Sequence, residues 1–178
     1  MKTRKNFWFL LLPFLVLNAC GSDDSQTPPT FNFYGIYQLE SLTAITEGDF
    51  TNDGVVSRDL LEQVLSSQTL SDQTLFINPG NPDSFNMPLL VGAVQTTQGD
   101  GTPVIRFTER TISILVEYEV DSGEFVLVNQ PSDVNTLQSI EKITRDALGT
   151  IVVETVQELY DFDTKAWLSV PLVYLFVR

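Results

Sequence analysis

Arg110–Val120 reads RTISILVEYEV, Asp121–Glu124 reads DSGE, and Phe125–Asn129 reads FVLVN. The first stretch is strongly β-branched, and its side chains crowd a helix but fit a pleated strand. The four residues after it have the polar, glycine-containing composition of a hairpin turn, and the third stretch resumes the apolar run. One strand, one tight turn and a returning strand make an antiparallel pair.

The same grammar extends in both directions. Upstream, Thr69–Asn78, Phe85–Thr97 and Pro103–Glu109 read as strands, separated by Pro79-Gly80-Asn81-Pro82 and by Gln98-Gly99-Asp100-Gly101. Pro88 marks an edge or a bend, because proline cannot donate to a ladder. Downstream, Pro131–Asn135 is a loop, and Leu137–Arg145, Thr150–Asp161 and Trp167–Arg178 are strands. Phe33–Thr46 is the first strand. Strict alternation there places Ile36, Gln38, Glu40 and Leu42 on one face and Tyr37, Leu39, Ser41 and Thr43 on the other. Val56–Ser67 is the one convincing helix: Val56, Leu60, Leu61, Val64 and Leu65 recur at helical spacing, with Ser57 as N-cap and Asp59 in the first turn. The expected class is therefore all-β, an antiparallel meander of about eight to ten strands. Closure into a barrel removes exposed edges, with a sandwich as the alternative and the short helix covering one mouth.

The amino terminus carries a different signal. Lys2, Arg4 and Lys5 precede Phe7–Leu17, an apolar run of eleven residues. A membrane-crossing helix needs roughly 20 such residues, so this run suits a cleavable leader. Leu17-Asn18-Ala19-Cys20 then resembles a lipobox, where a small residue fits the peptidase and a thiol accepts the diacylglyceryl group. Residues 1–19 are expected to be removed and Cys20 to be lipidated. Two or three acyl chains make a stable membrane anchor where one does not. Gly21-Ser22-Asp23-Asp24-Ser25 resembles the surface-export signal of Bacteroidota lipoproteins. This implies an outer-membrane protein displayed at the surface, with a periplasm-facing placement as the alternative. Residues 20–30 form a polar, proline-containing tether and residues 31–178 a single domain.

Charge and composition narrow the chemistry. The chain has 10 basic and 23 acidic residues, and loss of the leader takes three bases and no acid, so a net −13 becomes −16. Nucleic-acid binding needs lysine and arginine to neutralise phosphates, and is excluded on this balance. The domain has no cysteine beyond Cys20 and no histidine. Thiol chemistry, cysteine-based metal sites and serine–histidine triads are therefore absent. No enzymatic activity is expected, and no cofactor beyond the lipid on Cys20.

Three constellations remain. Asp49-Phe50-Thr51-Asn52-Asp53-Gly54-Val55-Val56-Ser57 has the oxygen-donor spacing of a calcium loop, with Asp49, Thr51, Asp53 and Ser57 as ligands. Its twelfth position is Leu60 instead of the bidentate glutamate, which favours an aspartate-rich turn leading into the helix. Glu117 with Glu119, and Glu154 with Glu158 and Asp161, are the pairs that an acidic-dyad hydrolase would use. The same spacing describes a solvated strand face. Tyr37, Tyr118 and Trp167 are candidates to line a pocket for a small apolar or amphipathic ligand.

Gly35-Ile36-Tyr37-Gln38-Leu39 is similar to the glycine–x–tryptophan start of lipocalin-type barrels, with Tyr37 where tryptophan is usual. Asp49–Glu62 resembles the loop and short leucine helix that follow the first strand in lipocalin-like lipoproteins of Bacteroidota. The resemblance covers about the first third of the chain. It implies a lipocalin-like barrel that holds a ligand in its interior or binds an envelope protein. It also implies a late arginine packed across the Tyr37 ring, for which Arg178 is the only candidate. The alternative is an accessory interaction module of a surface uptake complex.

Overall fold

A computed structural model of the chain describes residues 32–70, 73–131 and 137–178. The leader, Cys20 and the tether lie outside these, as does most of the predicted loop Pro131–Asn135. Among the described residues, nine strands and one helix run in the order β1 (Gly35–Gly48), β2 (Ser57–Asp59), α1 (Leu60–Ser67), β3 (Thr74–Asn78), β4 (Asp83–Thr97), β5 (Pro103–Glu119), β6 (Glu124–Leu127), β7 (Leu137–Arg145), β8 (Ile151–Asp161) and β9 (Ala166–Val177). Every pairing is antiparallel. β1 and β3 to β9 follow one another around the sheet, and β9 pairs back on β1, so eight strands close a barrel. β2 is an extra strand on the far half of β1. This is an all-β meander barrel compatible with a lipocalin-like fold. Among the described residues, no helix is long and apolar enough to cross a membrane.

Three local expectations change. β5 is one strand instead of two, because β4 pairs with it from Asp83↔Val116 to Thr97↔Pro103 with no room for a turn at Glu109. The helix begins at Leu60, because Ser57–Asp59 is drawn into pairing with β1. The cap accordingly falls to Asp59, whose carboxylate accepts the Glu62 N–H at 2.9 Å, while the Ser57 hydroxyl accepts the Asp59 N–H. Two turns bury only Leu60, Gln63 and Val64, and leave Val56 and Leu65 exposed. In β1, strict alternation fails. The register against β9 shifts between Leu39 and Ser41, a bulge that adds one residue and exchanges the faces beyond it. Tyr37 faces in before the bulge, and Leu42 and Ala44 face in after it.

The interior is filled. Leu75, Phe85, Met87, Ile114, Val153 and Phe176 project inward from five strands, and each is 0% exposed. A void large enough for water would expose the side chains bordering it, so these residues form a packed core. α1 adds Leu60 and Val64 to the same core, at the end where β1 has left β3.

Where backbone ladders run out, side-chain amides replace them. Gln68 donates to the Phe107 carbonyl at 2.6 Å and accepts the Phe107 N–H at 3.2 Å, the pair of bonds a neighbouring strand would make. Gln130 does the same to Ile140 at longer range, across the seam where β6 meets β7 at one residue pair, Glu124↔Thr144. Gln63 accepts the Phe50 N–H and donates to the Gly48 and Ser57 carbonyls, tying the helix to both sides of the loop after β1. A carboxamide has one acceptor and two donors on a plane, as a peptide group has one of each.

Candidate functional site

At one end of the barrel β1 begins and β9 finishes. Arg178 lies with its guanidinium carbon 5.7 Å from the centroid of the Tyr37 ring. It also donates to the Asn32 carbonyl at 3.1 Å and the Tyr34 carbonyl at 2.6 Å. The cation over the ring and two charge-assisted hydrogen bonds lace the last strand to the start of the first. Gly35 makes this approach possible: its φ is +136°, and a Cβ there would stand 2.9 Å from Arg178 Nη2. The Tyr37 hydroxyl donates to the Phe33 carbonyl at 2.7 Å, so both the ring and its polar tip are committed inside the wall.

The three aromatic candidates are not brought together. Tyr118 is half-buried in an aromatic group at this same end, with ring centroids 4.7 Å from both Phe33 and Phe125. Trp167 stands on the outer face of β9, 42% exposed, edge-on to Tyr160 at 5.4 Å. It does not line the interior. A small polar group does lie inside the barrel. Thr155, Gln157 and Tyr174 all face inward, and the Tyr174 hydroxyl accepts from Gln157 Nε2 at 2.6 Å. Burial pushes the Tyr174 phenol up from its ordinary value. Thr155 Oγ1 and Gln157 Oε1 have no hydrogen-bond partner.

At the opposite end, the loop after β1 is organised by Asp49. One carboxylate oxygen accepts the N–H groups of Asn52 and Asp53, and the other accepts that of Gly54. Asn52 and Gly54 take positive φ, which an aspartate-centred turn requires. Asp53 accepts the Val55 N–H, and the Thr51 hydroxyl is buried without a partner. Asp53, Ser57, Asp59 and Glu62 line an open cleft of about 180 Å³ beside the helix. Of the calcium candidates, Asp49 therefore turns inward to its own backbone, while Asp53 and Ser57 border the cleft. Among the described residues, no three acids stand close enough together to hold a metal ion.

Of the carboxylate groups, only the one on β8 is split. Glu117 and Glu119 are exposed on β5, and Glu154 and Glu158 are exposed on β8, whereas Asp161 points inward. Asp161 accepts the Asp49 N–H at 3.0 Å, the N–H groups of Asp163 and Thr164 at 3.2 Å, and the Thr164 hydroxyl at 2.6 Å. Burial alone would raise its pKa, but these bonds outweigh burial and hold the carboxyl below its ordinary range. A general acid needs the opposite displacement. The Phe162 N–H returns a bond to the Asp49 carbonyl, so the β8–β9 turn and the loop after β1 clamp each other.

No family model matches the chain, and no curated protein or solved structure matches it either.

Proposed function

We propose that this chain is a lipid-anchored, non-enzymatic protein of the bacterial outer membrane whose barrel is a packed scaffold for binding an envelope protein on its exterior. The observation that carries the reading is the filled interior: large side chains at 0% exposure occupy the space in which a barrel of this kind would hold a ligand. Binding work then falls to the outer surface. The lipobox-like Leu17–Cys20 and the acidic residues behind it support placement on the membrane, at the surface of the cell.

Two measurements test it. Growth with a clickable fatty acid should mark the wild-type chain and leave Cys20→Ser unmarked; an unmarked wild type removes the anchor from the account. A fluorescent fatty acid or an environment-sensitive dye should show no saturable uptake by the folded chain. Saturable uptake at one site would instead favour a second reading, a small amphipathic ligand held in the lumen. The feature that favours this alternative is the pair of unmet polar atoms on Thr155 and Gln157.

A further inference from the structure

β4 and β5 pair with each other from Asp83↔Val116 to Thr97↔Pro103, but their outer neighbours stop early. β3 reaches only residues 84–86 of β4, and β6 only residues 116–119 of β5. Among the described residues, no other strand pairs with the hairpin between these limits. Alternation explains the stop on β4. The next residue whose main chain turns toward β3 is Pro88, which has no N–H to give. Beyond it both faces of β4 are buried, with Leu89 and Val91 on one and Leu90 and Gly92 on the other. A wall strand turns one face to the core, and a stretch buried on both is surrounded. The sheet order puts β1 and β3 between β4 and β9, yet the Leu90 main chain meets the inward hydroxyl of Tyr174 on β9. That contact is made across the lumen.

The arm is fastened by side chains. Gln68, at the end of α1, makes its two bonds to Phe107, and Gln73 Nε2 donates to Glu109 Oε2 at 2.7 Å. Open clefts of about 410 and 370 Å³ run along its flank, both bordered by Gln68, Gln95, Arg106 and Phe107. Its tip, residues 94–101, is exposed. Behind it Tyr174 joins Gln157, and Thr155 lies on the same inward side of β8. Thr155 Oγ1 and Gln157 Oε1 have no partner with the arm in place, and unmatched buried polar atoms penalise this packing relative to one that admits water. We infer that residues 88–111 are a plug: the hairpin fills the lumen at the α1 end and swings out about Pro88 as one unit, leaving the ladders of the other strands intact. This goes beyond the exterior-binding reading, because it gives the packed interior a second, open state. The closed state predominates, so the wild-type chain still excludes dye.

The test uses the chain purified from membranes in detergent, with one buried position at a time changed to cysteine. A thiol reagent labels it in urea below the unfolding transition. Thr155→Cys lies behind the plug, and Val116→Cys lies on β5 where ladders run on both sides. Peptide mapping reads each new thiol apart from Cys20, and an unchanged circular dichroism spectrum verifies that the variants fold. Thr155→Cys should label at least about tenfold faster than Val116→Cys, with a shallower dependence on urea, because opening the plug exposes less surface than unfolding. Gln68→Ala removes a fastening and should speed labelling of Thr155→Cys about tenfold. Arg178→Ala weakens the domain at its other end, and should speed Val116→Cys while leaving Thr155→Cys unchanged. Hydrogen exchange of the unaltered chain should show residues 89–94 and 105–109 opening together, ahead of residues 151–161. One rate and one urea slope for both thiols, indifference of Thr155→Cys to Gln68→Ala, or exchange of the hairpin in step with residues 151–161 overturns the inference. So does an equal acceleration of both thiols by Arg178→Ala, which would mean that Thr155 is reached only by unfolding.

Discussion

Asp161→Ala should destabilise the domain substantially, and the size of the loss follows from its four acceptor contacts. The Asp49 N–H it receives is buried, and an orphaned buried donor costs about 1–3 kcal/mol. The Asp163 and Thr164 donors are partly open and recover much of their loss from water, adding about 1 kcal/mol together. The expected cost is about 3 kcal/mol, a large share of the ~5–15 kcal/mol that holds a domain folded. At roughly 2–4 °C per kcal/mol for a domain of this size, the melting midpoint should drop by about 6–12 °C. Asp161→Asn keeps one acceptor oxygen and should cost only about 1 kcal/mol at neutral pH. The pH dependence has a definite sign. The folded pKa lies below the unfolded value of about 3.9, so the ionised carboxylate stabilises fully above that value and its contribution disappears as pH falls through the folded pKa. Urea titrations at a series of pH values should therefore show a constant gap between wild type and Asp161→Asn down to about pH 5, closing below about pH 4. An Ala variant within ~0.5 kcal/mol of wild type would refute the anchoring role. It would also leave a buried carboxylate without a structural task, and the hydrolase alternative would regain its best residue.

Arg178→Ala removes two charge-assisted bonds and the cation over Tyr37, and should lower stability by about 1–3 kcal/mol in urea; an unchanged midpoint would mean that β9 closes on β1 without it. Phe85→Ala should cost about 3–5 kcal/mol and leave a cavity in the interior, so the variant, unlike wild type, should take up a small apolar dye. Melting midpoints in Ca²⁺ and in chelator should coincide for wild type, and Asp49→Asn should melt lower in both. A Ca²⁺-dependent rise in wild type alone would restore the calcium loop.

The barrel was legible from alternation and turn chemistry because both are local. Its departures came from pairing between distant strands. The bulge near Glu40 is imposed by β9, more than a hundred residues away, and no local pattern in Gly35–Gly48 announces that Leu42 will turn inward. Ser57 has the chemistry of an N-cap, and only competition from β1 for residues 57–59 moves the helix start to Leu60. Asp161 belonged by spacing with Glu154 and Glu158. The odd step from Glu158 puts it on the opposite face, a parity that the sequence contained and that counting would have found. The arginine implied by the lipocalin resemblance is in place over Tyr37, although it is the final residue. Gln63, Gln68, Gln130 and Gln157 were invisible as structural residues, since an uncharged amide in a loop or strand has no signature until its partner is known.

The glutamine joints change what mutation can reach. A backbone ladder is common to all residues but proline, so ordinary sheets are insulated from most coding changes at the level of their hydrogen bonds. At Phe107 and Ile140 the stitch belongs to a side chain, and a single missense change at Gln68 or Gln130 removes it while leaving the main chain intact. Selection can therefore strengthen or weaken either join, one from the end of the helix to β5 and one across the β6–β7 seam, without redesigning any strand.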